Sequence, residues 1–476
     1  MPARHRPFTL KRGLLAILLA FPAQQALAAN CTWNTASGNW NALANWASCL
    51  AGNGNPAQTP GSNDTATIGA TGVVTVNSAQ NILNLNHAGI LNIDAASLTL
   101  VAGGATNNAG GVINVATGAL LTQNGQTVSG GTINTSGGGL FTVTSTAANY
   151  LNGVTLTGKM DMATVANSRQ RITNGLTLDN GTVDINGNGI LSFEGASTLG
   201  GTGSIVFGAT GPGNRMDLDG NGTTTFASGT TVRGQNGTIG RQINIGGTQT
   251  LVNNGTISAD VAGGSIEITD SAVTNNGTLS ALNGGTLVLS SNVTGSATGQ
   301  IIAGAGSTVR QEGVSIGGII NTSGGGLFTV TSTAANYLNG VTLNGNLDMA
   351  SIANNRERVT AGGLVLNGTI NINSNGILSF EGDGALSGNG TIVFGATGPG
   401  NRIDLDGNGT TTFASGTTVR GQNGTIGRQI NIGGTQTLVN NGTISADVAG
   451  GSIEITDSAV TNNGTLSALN GGTLVL

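Results

Sequence analysis

Two identical six-residue motifs carry the acidic and amide side chains that metal ions prefer. Each reads DLDGNG, starting at Asp217 in one part of the chain and at Asp404 in another. Oxygen ligands at positions 1, 3 and 5 followed by glycine at position 6 form the first half of a calcium loop. The twelfth position is serine instead of glutamate, and no helical pattern flanks the motif. The motif therefore predicts either an ordinary turn or a weak calcium site with these ligands: Asp217, Asp219, Asn221, Asp404, Asp406 and Asn408.

The charged residues around the first motif could also serve an enzyme that cleaves polysaccharides. Such a site needs carboxylates, alone or with arginine or lysine, clustered on one face of the fold. The candidates are Asp161, Arg169, Arg171, Glu194, Arg215, Asp217 and Asp219, with their counterparts in the second copy. Nearly all of them are isolated within Gly, Asn and Thr sequence, and an enzyme would have to carry the same active site twice. We therefore predict that the chain is not an enzyme and needs no cofactor other than the calcium considered above.

Histidine and cysteine usage excludes several other chemistries. His87 is the only histidine after residue 28, so neither a Ser-His-Asp triad nor a histidine metal centre can be built in either copy of the motif. The only cysteines are Cys31 and Cys49. We predict that they form a disulfide in an oxidising compartment, because two thiols without a nearby histidine are a poor metal-ligand set.

The segment before Ala29 has the pattern of a secretory signal peptide. Four basic residues precede the apolar stretch Gly13–Phe21, and Ala26–Ala28 supplies small residues for cleavage. The apolar stretch is too short to span a bilayer, and no later stretch approaches about 20 consecutive apolar residues. We expect a mature chain that begins at Ala29 and has no transmembrane helix.

Charge and composition narrow the class of protein further. Loss of the four basic residues leaves 12 Lys and Arg against 21 Asp and Glu, a net charge of −9. An acidic chain of this kind disfavours nonspecific binding to nucleic acid, which needs a basic surface. Glycine contributes 83 residues but proline only 7, without a Gly-X-Y period, so a collagen helix is excluded.

A long internal duplication dominates the chain. Residues 134–289 align with residues 321–476 at a constant offset of 187 and without a gap. From Gly208 onward the match is complete except for Met216, which corresponds to Ile403. The differences include exchanges of one apolar residue for another, such as Met160 for Leu347, and of polar residues, such as Lys159 for Asn346. The alternating pattern persists while the identities change, as a packing constraint predicts. Such a repeat indicates a stacked, quasi-one-dimensional fold.

Short alternating runs between Gly- and Asn-rich turns indicate that the stacked elements are β-strands. Val73–Val76 and Ser265–Ile268 are examples, and successive elements recur about every 18–25 residues. A sandwich or a propeller would also be all-β, but only coils can stack without limit and accept a duplication of this length. We therefore predict an all-β fold, a parallel β-helix of roughly 20 coils with about nine coils in the 187-residue unit. At about 4.8 Å per coil the rod would be on the order of 100 Å long.

The segment Asn30–Leu50 differs from the rest because it holds all three tryptophans, Trp33, Trp40 and Trp46. Solenoids need a cap where the apolar core would meet water, and a disulfide-closed tryptophan module suits that role. Exposed tryptophans could instead stack on sugars, so a glycan platform is the second interpretation. The predicted organisation is signal peptide 1–28, cap module 29–65, coils 66–133, repeat unit 134–320, and an incomplete second unit 321–476.

The cap segment CTWNTASGNWNALANW (Cys31–Trp46) resembles the opening of bacterial autotransporter and adhesin-like passengers. The coil NGGTLVLS (Asn283–Ser290) is similar to the β-strand repeats of such passengers, which include filamentous-haemagglutinin-like β-helices. The resemblance implies a right-handed parallel β-helix, exported through the periplasm and displayed on or released from a Gram-negative cell surface. The chain departs from the family in lacking a C-terminal pattern of amphipathic barrel strands. Because Leu476 falls within a coil, we expect it not to be the natural terminus.

The functional expectation is therefore an exported, non-enzymatic rod that mediates attachment. Its partners would be host or environmental surface glycans or proteins, bound weakly and many times over. By the resemblance, its export would be of the type V kind and would use an outer-membrane translocation barrel, encoded beyond Leu476 or elsewhere. A polysaccharide-active β-helix hydrolase or lyase and a non-binding structural spacer remain the alternatives.

Overall fold

The computed structural model describes residues 28–50, 58–241, 247–427 and 434–476. The predicted signal peptide lies outside these residues, apart from its last residue, so it stays a prediction. Within the described ranges the regular secondary structure is β-strand, with turns between the strands and one short 3-10 turn at Leu43–Asn45. No helix in these ranges is long and apolar enough to cross a membrane.

The strands form three parallel columns, because each strand pairs with a strand about one coil later in the chain. We call these columns faces 1, 2 and 3, in the order in which the chain visits them. About 18 coils are stacked in this way, which confirms the predicted parallel β-helix. One pairing near the N-terminus is antiparallel, between Asn30–Trp33 and Trp46–Ala47.

Face 1 consists of these strands: Asn30–Trp33, Thr65–Ile68, Asn84–His87, Ala105–Asn107, Thr127–Ser129, the first parts of Tyr150–Thr157 and Arg169–Leu178, Ile190–Glu194, Arg215–Asp219, Asn236–Gly240, Ser265–Thr269, Thr286–Ser290, Thr308–Gln311, Leu327–Val330, Asn346–Met349, Thr369–Ile372, Thr391–Phe394, Thr418–Gly421, Thr443–Ala446 and Thr465–Ala468. Face 2 consists of these strands: Ser37–Asn39, Val73–Val76, Ile90–Ile93, Val112–Val115, Thr132–Thr135, the second parts of Tyr150–Thr157 and Arg169–Leu178, Ser197–Gly201, Gly222–Phe226, Gln249–Asn253, Ala272–Asn275, Val293–Gly295, the first parts of Ser315–Thr322 and Tyr337–Asn344, Arg356–Val359, Ile377–Glu381, Arg402–Asp406, Asn423–Gly427, Ser452–Thr456 and Thr473–Val475. Face 3 consists of these strands: Gln80–Ile82, Ser97–Leu100, Leu120–Gln123, Leu140–Val143, Lys159–Met162, Thr182–Ile185, Ser204–Phe207, Thr231–Gly234, Thr256–Ala259, Thr278–Ala281, Gln300–Ala303, the second parts of Ser315–Thr322 and Tyr337–Asn344, Leu364–Leu366, Ala385–Gly388, Gly409–Phe413, Gln436–Asn440 and Ala459–Asn462.

The core is a single apolar column that runs through the rod. Alternate residues of each strand point inward, and the strand register stacks apolar residues of successive coils on one another. Leu91, Ile113 and Ile133, for example, lie in successive coils and are fully buried. A buried aliphatic side chain of this size contributes about 1.5–3 kcal/mol to folding. The column continues from Ala29 to Ile455, so the inward-facing Leu, Ile and Val of successive coils form one core.

The corners between faces are made by residues that accept a left-handed backbone. Asn188 has φ of 65° in the turn before Ile190–Glu194. Its side-chain oxygen accepts the Gly213 N–H of the next coil at 3.0 Å. Asparagine tolerates this conformation at lower cost than most residues, which explains the Asn-Gly turns seen in the sequence.

The first coil is closed by a disulfide and three packed tryptophans. Cys31 and Cys49 are bonded, as predicted. The ring of Trp46 lies 5.0 Å from those of Trp33 and Trp40, each in an edge-on arrangement. All three rings are buried, and Trp40 is fully inaccessible. They therefore offer no open face on which a sugar ring could stack, and the geometry is that of a cap rather than a glycan platform.

The two copies of the repeat do not occupy the same faces. Ile190–Glu194 lies on face 1, and eight coils further along that face lies Thr369–Ile372. The counterpart of Ile190–Glu194 is the next strand, Ile377–Glu381, which lies on face 2. The constant offset between the copies therefore corresponds to eight coils plus one face, slightly fewer than the predicted nine. Each element of the second copy lies one face further round the rod than its counterpart.

The cap can be tested separately from the rod because all three tryptophans lie within it. We predict that a reductant, or a Cys31→Ser/Cys49→Ser variant, destabilises the cap by about 3 kcal/mol, since the closed loop constrains the unfolded chain. Tryptophan emission should then shift to the red at a lower temperature, while the far-UV dichroism of the rod melts as before. An unchanged emission transition would contradict this role of the disulfide.

Candidate functional site

A mixed cluster of aromatic, basic and acidic side chains lies on the outer surface of each copy. Cluster 1 is on face 1 and consists of these residues: Tyr150, Arg169, Arg171, Glu194, Arg215, Asp217 and Asp219. Cluster 2 is on face 2 and consists of their counterparts: Tyr337, Arg356, Arg358, Glu381, Arg402, Asp404 and Asp406. These side chains come from four consecutive coils, so stacking alone brings them together.

Strand register places the members of cluster 1 side by side. Tyr150 pairs with Arg171, which pairs with Ser192, which pairs with Asp217. Next to this row, Glu194 pairs with Asp219. Five side chains, which are acidic, basic or aromatic, therefore lie within three strand spacings of one another, and each spacing is about 4.8 Å. The same register recurs in cluster 2, from Tyr337 to Asp404.

Ion pairs join the charged groups in both clusters. Arg215 donates from Nε to Oδ1 of Asp217 at 2.6 Å, and Arg402 donates in the same way to Asp404 at 2.5 Å. Arg171 is paired with Glu194. In cluster 2, the corresponding arginine is paired with Glu381, and Arg356 Nη2 lies 3.8 Å from Oδ2 of Asp406. Charge-assisted pairs of this kind hold guanidinium groups in fixed orientations.

A tyrosine ring supports one guanidinium in each cluster. The guanidinium carbon of Arg171 lies 4.7 Å from the centre of the Tyr150 ring, and that of Arg358 lies 5.0 Å from the centre of the Tyr337 ring. Arg358 also donates from Nη1 to the Tyr337 hydroxyl at 2.9 Å. A cation over an aromatic face adds about 0.5–1 kcal/mol at a partly exposed site.

The carboxylates at the centre of the clusters are buried although they lie on the outward side of their strands. The side chains of Asp217 and Asp404 are fully inaccessible. Burial raises the pKa of Asp217 and of Asp404, because it disfavours the charged form, while the paired arginines partly oppose this shift. Burial raises the pKa of Asp406 as well, against the opposing charge of Arg356.

Glu357 differs from these residues because it points into the core. Its strand, Arg356–Val359, alternates outward and inward, and Glu357 is completely buried at an inward position. One oxygen accepts the backbone N–H of Arg358 at 3.2 Å. Burial raises the pKa of Glu357 well above its ordinary value. The counterpart in the first copy is Gln170, a neutral residue at an equally buried position.

The residues that the DLDGNG motif suggested as calcium ligands lie partly on a strand and partly in the turn that follows it. Asp217 and Asp219 lie on a strand within the ionic cluster, where the Arg215 guanidinium already occupies one oxygen of Asp217. Asn221 lies in the following turn, and its oxygen accepts the Thr248 N–H at 2.8 Å. Asn408 accepts the Thr435 N–H at the same distance. In the described ranges, no group of three or more His, Cys, Asp or Glu side chains is arranged to hold a metal. The motif forms a strand end and a turn in which Arg215 occupies one oxygen of Asp217, and calcium binding stays a prediction.

Two other residues from the sequence analysis lie away from the clusters. Asp161 is on face 3, where its Oδ1 accepts the Ala163 N–H at 3.0 Å and so stabilises a turn. His87 is buried, with Nδ1 2.6 Å from Oδ1 of Asn108, and burial lowers its pKa.

The sequence analysis did not include Tyr150 or its counterpart Tyr337 among the candidate site residues, and it did not single out Glu357. Each tyrosine precedes its arginine by about one coil of sequence, so the two side chains meet only when the coils stack. A search for aromatic and charged residues separated by one coil would have found them. Glu357 could have been found as an acidic residue in an inward position of an alternating strand.

Comparisons with known proteins define no family for the chain. No family model and no curated protein matches it. Among solved structures, the TibC-catalysed hyper-glycosylated TibA55-350 fragment is similar at 13% sequence identity with a TM-score of 0.26. The match covers 84% of this chain and 97% of that fragment. The fold class therefore rests on the strand pairing described above.

Because Glu357 is a buried acid, we predict that the stability of the second copy depends on pH. The pKa of Glu357 is higher in the folded state than in the unfolded state, because burial favours the protonated carboxyl group. The stability that the protonated group contributes is therefore fully present below the unfolded pKa of about 4.3 and is lost as pH rises through the folded pKa. We predict that Glu357→Gln raises the stability of the second copy at pH 8 and has little effect at pH 4. Urea unfolding at both values measures this. The reverse change, Gln170→Glu, should lower stability at pH 8, and equal effects at the two pH values would contradict the prediction.

The buried pair Arg215–Asp217 should matter more than an exposed pair. Asp217→Ala leaves the Arg215 guanidinium without its main partner, at an expected cost of about 3 kcal/mol. The matched control removes the exposed pair Lys159–Asp184, joined at 2.5 Å. The second copy already has Asn346 and Asn371 there, so Lys159→Asn/Asp184→Asn should cost less than about 1 kcal/mol. Hydrogen exchange of the neighbouring strand amides measures both, and equal costs would refute the assignment.

Proposed function

We propose that this protein is an exported, adhesin-like rod that attaches to glycans or proteins on other surfaces. The observation that carries the proposal is the continuity of polar side chains along the outside of the stack. In one column the Asn114 amide donates to Asn92 at 2.9 Å and the Asn134 amide donates to Asn114 at 3.0 Å. In another column the Asn344 amide donates to Asn321, and the Asn367 amide to Asn344, both at 3.0 Å.

Such ladders repeat the same donors and acceptors at the coil spacing of about 4.8 Å. A polymeric partner with many hydroxyl groups can engage several coils at once. Each contact is weak, but linked contacts increase overall binding by about 10²–10⁴-fold without any deep pocket. A stiff rod with polar faces therefore suits attachment by many small contacts.

Export to the surface of a Gram-negative cell is part of the proposal. The disulfide between Cys31 and Cys49 is of the kind that persists in oxidising compartments, which supports a location outside the cytoplasm. The signal-peptide pattern at residues 1–28 supports the same location. Translocation of the type V kind would require an outer-membrane barrel as partner.

One observation favours a second function, cleavage of polysaccharides. Asp217 lies two residues from Asp219 and has a raised pKa, a property common at catalytic sites. Against this, the Asp217 side chain is fully inaccessible and already paired with Arg215. A sugar could not contact that carboxylate without rearrangement of the cluster, so attachment is the better-supported function.

Attachment, polysaccharide cleavage and a purely structural role can be distinguished by measuring glycan binding together with the products of glycan cleavage. The mature rod would be applied to a printed array of neutral and uronic-acid-containing oligosaccharides and to immobilised surface proteins. We predict binding to at least one class, with bound glycans recovered intact and no new reducing ends. New reducing ends that disappear in an Asp217→Asn/Asp404→Asn variant would establish the enzyme. No binding to any array component would leave only a structural spacer.

A further inference from the structure

The two clusters are presented in different directions along the rod. Cluster 1 lies on face 1 and cluster 2 on face 2, because the copies are separated by eight coils and one face. At about 4.8 Å per coil, this separation is about 40 Å along the axis. A straight polymer chain lying along one face would contact only one of the two clusters.

The exposed rim of each cluster has the chemistry that recognises sugars. The side chains of Arg171 and Glu194 are 25% and 21% exposed, and those of Arg358 and Glu381 are 22% and 26% exposed. A sugar hydroxyl both donates and accepts, so it can bridge a guanidinium N–H and the neighbouring carboxylate oxygen. The ring of Tyr150 adds an apolar edge beside these groups.

Charge balance indicates that the sugar is neutral. Each cluster contains three arginines and three carboxylates, and the arginine at its rim is already paired with a glutamate. A uronic acid would have to break such a pair to gain a bidentate arginine contact. Neutral hydroxyl groups can bind to the pair as it stands.

The clusters are also pre-organised for binding. Buried Asp217 holds Arg215 at 2.6 Å, and its other oxygen, Oδ2, has no hydrogen-bond partner among the described residues. Buried Asp404 has the same arrangement with Arg402. Groups that are fixed before binding lose less conformational entropy when a ligand arrives. Both copies keep this arrangement, whereas the exposed pair at Lys159 is absent from the second copy.

We propose that the two clusters are binding sites for neutral glycans and that, because they face different directions, one rod joins two separate glycan chains. This inference rests on the proposed attachment function and adds the site, the ligand class and the geometry. The rod would then act as a crosslinker between glycan-bearing surfaces rather than as a bivalent ligand of one flat surface.

The test compares binding with crosslinking in the mature rod. Variant A carries Tyr150→Ala/Arg171→Ala, variant B carries Tyr337→Ala/Arg358→Ala, and variant C carries all four changes. The probes are the array described above and latex beads that bear the neutral oligosaccharide bound best. We expect the parent to bind two oligosaccharides per rod and to agglutinate beads. Variants A and B should each bind one and lose agglutination by about 100-fold, and variant C should lose both.

The exposed-pair variant Lys159→Asn/Asp184→Asn is the matched control and should behave as the parent does. Circular dichroism of every variant confirms that the rod is folded.

Glycan binding that survives in variant C would overturn the assignment of the clusters while leaving the attachment function intact. Full agglutination by variants A and B, or a stoichiometry of one for the parent, would overturn the crosslinking geometry. An absence of glycan binding by the parent would overturn this inference, and the attachment function would fail as well if surface proteins also went unbound.

Discussion

The in-register pairing of each strand with the strand one coil away is the constraint on which the rest of the structure depends. Because the backbone hydrogen bonds of a strand go to the coils before and after it, a residue's lateral neighbours lie one full coil away in sequence. Inward positions then form one apolar column, and outward positions form ladders of identical or complementary groups. The asparagine ladders, the core and the two charged clusters all follow from this single rule.

The rotation of the second copy by one face shows that the three faces are nearly equivalent. The strands Arg215–Asp219 and Arg402–Asp406 have the same burial pattern, although one lies on face 1 and the other on face 2. The same holds for Gly222–Phe226 and Gly409–Phe413, which lie on faces 2 and 3. A sequence can therefore be duplicated at a fractional number of coils without loss of packing, and the duplication distributes its surface features around the rod. A whole number of coils would instead have placed both clusters in one line.

The sequence predicted the class of fold, because alternation, turn residues and a gapless duplication are all local patterns. It also predicted the disulfide and the tryptophan cap. It could not predict which residues lie side by side, because coil length varies: Val73 pairs with Ile90, whereas Asn236 pairs with Ser265, a much wider interval along the chain. The role of Tyr150 and the different faces of the two copies depend on the sum of these lengths. The DLDGNG motif suggested a calcium loop, which stays a prediction; in the structure Asp217 is paired with Arg215 on its own strand, and Asp219 lies beside Glu194 of the preceding coil.

The most direct test of this account is a pair of engineered disulfides where the two copies meet. Thr308 and Leu327 are register partners on face 1, whereas Gln300 lies on face 3. Adjacent strands bring paired Cα atoms close enough for a disulfide, which requires a Cα separation below about 7 Å. We predict that Thr308→Cys/Leu327→Cys forms a disulfide on oxidation and that Gln300→Cys/Leu327→Cys does not. The opposite result would place the copies a whole number of coils apart, and both clusters would then lie on one face.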